Sequence, residues 1–258
     1  MGSPYTPRED TITVITPEAG REGPLIALAG LVFVAAWVAG LLVAPSSPAA
    51  TDPVGKIGTY YLAHRRAVMV QTFLIDGVAG AALLVFAAAL KGALRRFQGV
   101  NTALSDVVLG AGIAAASVSF VQAAVGEVLV NRIAGTRDAV AVRTLFDVMN
   151  EADAFKLIAL AVLIGATAIL ALQTRALTRW LGWASALLSP ALVIGGLGFV
   201  INSSGLTDAL FVLLPLLLVW VAVVSVVVWR GDRRSALYIT KTTSALLAQE
   251  ASARPRES

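Results

Sequence analysis

The 258-residue sequence contains no cysteine and a single histidine, His64. Without thiols there are no disulfides, zinc–thiolate sites, iron–sulfur ligands or thiol nucleophiles. One imidazole cannot supply the paired ligands of an intramembrane haem or a dinuclear metal centre, so no cofactor and no metal is expected. Charge is also scarce: 14% of residues are charged and 57% apolar, with a mean hydropathy of +0.80. A water-soluble domain does not have this composition; an integral membrane protein does. The chain further lacks H-E-x-x-H, G-x-S-x-G and a phosphate-binding glycine loop, which argues against an enzyme. Gly195-Gly196-x-Gly198 lies inside an apolar run with no strand before it and reads as close helix packing.

What is present is a series of apolar runs. Six spans are expected at about 25–44, 67–90, 107–130, 151–173, 181–201 and 206–229, each near the twenty residues that cross ~30 Å of hydrocarbon. The fold class is therefore all-α, a polytopic bundle of six transmembrane helices. Residues 1–24 carry Pro4, Pro7 and Pro17 with mixed charges and read as a disordered tail. They do not have the form of a signal peptide, whose apolar core follows a short basic start. Residues 230–258 form a polar tail with a short helix expected between Ser235 and Ala251. Thr51 or Asp52 is expected to cap an amphipathic segment after Pro53, and Ser105-Asp106 to cap the third span. Pro190 and Pro215 are expected to interrupt the fifth and sixth spans, and Asn202 to Gly205 to form a turn.

Basic residues set the orientation. With both ends cytoplasmic, Lys and Arg inside outnumber those outside, and the connection between spans five and six has neither. The net charge of +4 is read as membrane electrostatics, with Arg230, Arg233 and Arg234 on anionic lipid and no nucleic-acid partner. His64, next to Arg65-Arg66, reads as an interfacial group.

The segment from Arg143 to Ile158 departs from this apolar pattern. Asp147, Asn150, Glu151, Asp153 and Lys156 crowd into the start of the fourth span. Asp76 lies roughly 15 Å into the second span at ~1.5 Å per residue. In the expected orientation Gln71, Asp76, Gln122, Glu127, Glu151, Asp153 and Lys156 all fall in the outer half of the membrane or near its midplane. A carboxylate in hydrocarbon costs about 2.5 to 3.5 kcal/mol, so Asp76 must be paired, hydrated or protonated. Lys156 is its expected partner, with Arg65, Arg66 or Arg132 above. Spans two, three and four would enclose a polar pocket open to the outside. Three readings follow: an interhelical network that fixes register, a binding or transport site for a cation, proton or small polar solute, and an intramembrane enzyme using the two carboxylates. A scaffold acting through a protein partner or a second copy is the alternative to the binding site.

Three segments carry a family likeness: Tyr60-Tyr-Leu-Ala-His-Arg65 before span two, Leu90-Lys-Gly-Ala-Leu-Arg95 at its exit, and Thr178-Arg-Trp-Leu-Gly-Trp183 opening span five. On these the chain resembles the actinobacterial six-helix membrane proteins grouped as domain of unknown function 4386, over roughly residues 25–229. Position 178, often proline in such proteins, is threonine here. The resemblance implies a six-helix fold in a bacterial plasma membrane and transfers no catalytic residue.

Overall fold

Backbone hydrogen bonds cannot be left open in hydrocarbon, so an apolar chain of this kind spans as helices. The structure, a computed structural model, describes residues 22–44, 47–96, 102–136, 138–174, 177–201 and 209–253, with side chains described as far as 231 in the last segment. The helices are α1 (Glu22–Val43), α2 (Val54–Ala63), α3 (Arg65–Arg95), α4 (Thr102–Ile133), α5 (Ala139–Thr174), α6 (Arg179–Val200) and α7 (Leu210–Ala253). Six of them, all but α2, are long and apolar enough to cross a membrane. No strand occurs among the described residues. The N-terminal tail as far as residue 21 and the turn at 202–205 lie outside the described residues.

The spanning helices pack in chain order, α1 on α3, then α4, α5, α6 and α7, and α7 returns to α1. The ring has no lumen, because its interior is filled by Phe86, Ile164, Leu192 and Trp220 in one continuous apolar core. Trp220 meets Phe86 edge to face at 6.3 Å, and its indole Nε1 donates to Ser185 Oγ at 2.7 Å. Outside, Leu31, Leu42, Phe155, Leu187 and Phe211 are all more than 60% exposed. A shell of large exposed apolar side chains on every spanning helix is the surface a lipid bilayer covers. The protein is accordingly a multi-pass membrane protein.

Several boundaries differ from expectation. The amphipathic segment after Pro53 forms α2, but its N-cap is Pro53 with no side-chain cap. Asp52 instead accepts from Ala49 N at 2.9 Å and pairs with Lys56 at 2.8 Å. The third span begins at Thr102, a turn earlier than expected. Ser105 Oγ donates back to the Thr102 carbonyl at 2.7 Å, and Asp106 pairs with Lys91 of α3 at 2.7 Å. Pro190 and Pro215 sit within unbroken helices. The sixth span and the expected tail helix are a single helix to Ala253; only Gly231 weakens the junction, and one glycine costs about 1 kcal/mol, too little to stop a helix.

On one side of the bundle, where α1 ends, a second apolar cluster joins Ile57 and Tyr61 of α2, Val68 of α3, Leu129 and Val130 of α4, and Val142 and Phe146 of α5. This cap explains the length of α5. Its 36 residues extend ~54 Å at ~1.5 Å per residue, well beyond the hydrocarbon, and the excess packs on α2.

Candidate functional site

Two helices depart from α geometry, one beneath the cap and one within it. In α3 the turn Phe73–Val78 is π-helical, with the Ala79 amide reaching back to Leu74 O. In α4, Leu129–Ile133 is π-helical as well, Ala134 N bonding Leu129 O at 2.8 Å. Such turns are frequent at functional sites. Asp76 sits on the first of them and is buried.

The side chain opposite is Lys156, near the midpoint of α5 and also buried. Its ammonium donates to Gln122 Oε1 of α4 at 2.6 Å and Asp76 Oδ1 of α3 at 3.1 Å, and pairs with Asp153 Oδ1 of α5 at 2.8 Å. A lysine has three N–H groups, and all three are taken. A fourth direction is covered by Trp37 of α1, whose ring centroid is 5.9 Å from Nζ, within cation–π range. Gln122 is fixed in turn by its Nε2, which donates to the Met149 carbonyl at 3.0 Å. Four helices thus meet on one ammonium. Among the described residues no buried side-chain nitrogen or oxygen lacks a hydrogen-bond partner.

Of the seven residues singled out in the sequence, the structure brings together Asp76, Gln122, Asp153 and Lys156. Gln71 is half-buried and is not among the partners of the Lys156 ammonium. Glu127 is exposed and accepts from Asn131 Nδ2 at 3.0 Å; Asn131 Oδ1 accepts from Arg65 Nη2 at 2.6 Å. Glu151 is exposed, two residues from Asp153 and so on another face. Arg65 therefore tops a separate surface chain and does not cap Asp76. Asp147 pairs with Arg143 at 2.8 Å, and Arg143 Nη1 also donates to the Asp52 carbonyl at 3.3 Å, tying α5 to the entry of α2. Trp37 and the Met149 carbonyl carry no polar signature in sequence, and nothing in the sequence marks their roles.

The cluster has a directional opening. Asp76 and Lys156 expose 11% and 7% of their side chains, whereas Asp153 exposes 37%. Asp153 is also felt by Tyr61 in the cap, whose phenol titration is pushed up chiefly by burial and secondarily by the charges of Tyr60 and Asp153. Toward the other side, the described interior is the apolar core, with buried hydroxyls such as Ser185 but no further charged side chain among the buried residues described. An open groove of about 600 Å³, lined by Lys56, Tyr60, His64 and their neighbours on the outer face of α2, includes none of the cluster residues.

Helix spacing in the bundle depends on glycine at several places, two of which fix the helices that carry the cluster. A Cβ on Gly112 of α4 would collide with that of Ala87 on α3, and one on Gly196 of α6 would lie 3.2 Å from the Ala154 carbonyl of α5. No family model, no curated protein and no solved structure matches this chain.

Proposed function

We propose that this is a non-enzymatic plasma-membrane protein with both termini cytoplasmic, whose Lys156 cluster binds a small cation, proton or polar solute from the outer face. The observation that carries the reading is the graded exposure from Asp153 to the buried Asp76 and Lys156. Buried ionic groups in hydrocarbon are costly and mark binding pathways. The filled core beyond them favours binding over passage across the bilayer. In this reading α2 lies outside, and Arg230, exposed at the end of the last span, meets anionic lipid together with Arg233 and Arg234, whose side chains lie outside the described residues.

Membership of the domain of unknown function 4386 group is part of the proposal. Its support is positional: Tyr60 to Arg65 join α2 to α3, Leu90 to Arg95 close α3, and Thr178 to Trp183 open α6.

A second reading, a scaffold acting through a protein partner or a second copy, is favoured by the saturation of all three Lys156 N–H groups. The two part in one experiment. In nanodiscs, titration with a monovalent cation at constant ionic strength, and separately with acid, should give a saturable change in the fluorescence of Trp37, isolated by comparison with Trp37→Phe. Asp76→Asn should abolish it. The same response in Asp76→Asn assigns the cluster to the scaffold.

A further inference from the structure

The cage around Lys156 can be considered apart from the lysine that fills it. Two carboxylate oxygens and one amide oxygen, contributed by three helices, converge at 2.6–3.1 Å on one positive nitrogen, and an aromatic face stands 5.9 Å away. Oxygens at that range with a π face are the recognition chemistry of a small ammonium or alkali cation, whether or not the cation is tethered to the chain. Charge points the same way. Asp76 and Asp153 ionised against one Lys156 leave a formal charge of −1 inside the bundle. No other span relieves it: α1 from Gly23 onward has no charged residue, and α6 and, as far as Gly231, α7 have only Arg179 and Arg230 at their ends.

Lys156 also has somewhere to go. Asp153 is on the same helix at i,i+3 and is the one member of the cage with substantial exposure. A swing of the flexible lysine stem toward the cap would keep that ion pair while giving up Asp76 Oδ1 and Gln122 Oε1. The vacated position would be lined by one carboxylate and one amide oxygen, with the Trp37 ring beside it. We propose that this is a monovalent-cation site of ammonium or alkali type whose built-in occupant is Lys156, and that an external cation binds by displacing it toward Asp153. The proposal rests on the cation-binding reading above and adds the identity of the competitor.

The full chain in nanodiscs tests it by amine labelling with formaldehyde and borohydride, followed by mass spectrometry. Sodium, potassium, rubidium or caesium, none of which consumes formaldehyde, is added against choline at equal ionic strength. The proposal expects labelling of Lys156 to rise several-fold and saturably with at least one of these ions, while exposed Lys56 stays constant. Labelling of Lys156 that does not respond to any of them overturns it. The complementary variant is Lys156→Ala. Its empty cage should bind the same ion directly, and at tenfold excess over Kd the melting midpoint should rise by about 3 °C. Adding Asp76→Asn should erase that rise. A folded Lys156→Ala protein with no ion-specific shift also overturns the proposal; if that variant does not fold, the labelling result alone decides. Failure of the parent reading looks different: Asp76→Asn would leave the Trp37 response of the otherwise unaltered protein unchanged.

Discussion

Lys156 and Asp76 lie eighty positions apart in sequence, and their side chains meet at 3.1 Å within the bundle. Asp76 depends on this one cation, whereas Lys156 has Asp153 as well. Removing one partner of a buried ion pair costs about 3–5 kcal/mol, because the survivor remains desolvated and unpaired. Lys156→Met should therefore destabilise the protein by about that amount, whereas Lys156→Met with Asp76→Leu should recover part of the loss, the remainder coming from Asp153 and Gln122 Oε1, which stay without their ammonium. Thermal denaturation of both in detergent measures the contrast; equal losses would show that the pair is not the source.

A second prediction concerns the contact between α3 and α4. Gly112→Ala places a methyl on Ala87, and overpacking of a tight helix interface costs about 1–3 kcal/mol. Ala87→Gly added to it should recover most of the loss. If the double variant is no better than Gly112→Ala, the clash lies elsewhere.

The bond from Trp220 to Ser185 allows a third. Ser185→Ala removes the acceptor and leaves the buried indole N–H without a partner, a loss of about 1–3 kcal/mol. Ser185→Thr keeps the hydroxyl and should lose less. Chemical denaturation of the pair ranks them.

A fourth uses pH. The hydrogen bond from Lys56, then that from Ala49 N, holds the Asp52 carboxyl below its usual value. A carboxylate depressed in the folded state adds stability that is complete above its unfolded value and is lost as pH falls through the folded one. The α2 entry should thus loosen only in acid, and Lys56→Gln should move that loosening to higher pH. Amide hydrogen exchange at Lys56 and Ile57, whose N–H groups bond Pro53 O, is the readout. No change in the acid profile of Lys56→Gln would dismiss the pair as its cause.

The membrane architecture was legible because hydrocarbon imposes it: apolar runs near twenty residues admit few alternatives to a spanning helix. The Asp76 to Lys156 pairing could be anticipated by the same physics, since two opposite charges in lipid-soluble helices must find each other. Gln71, Glu127 and Glu151 each lie five residues, ~7.5 Å, nearer the cap than Asp76, Gln122 and Lys156, and Glu127 and Glu151 also face outward, which depends on how helices rotate in packing. The π turn at Phe73–Val78 shifts that rotation within α3, and no residue in it announces the extra residue in the turn. Trp37 belongs to α1, an apolar helix with no periodic polar face to orient it, so its place over the ammonium could emerge only in three dimensions. Pro190 and Pro215 suggested interruptions, yet neighbouring helices hold the backbone in line.

The return of α7 to α1 has a bearing on biogenesis. The first and last spans are neighbours, with Gly30 set directly against Val221 and Ser225, so the ring has no seam that can close early. A ribosome that has delivered five spans leaves the inner faces of α1 and α6 without their shared neighbour, and Ser185 without the indole of Trp220. Completion of the fold must wait for the last helix to insert. Until then, one flank of the nascent bundle stays available to lipid, to membrane chaperones or to quality-control proteases.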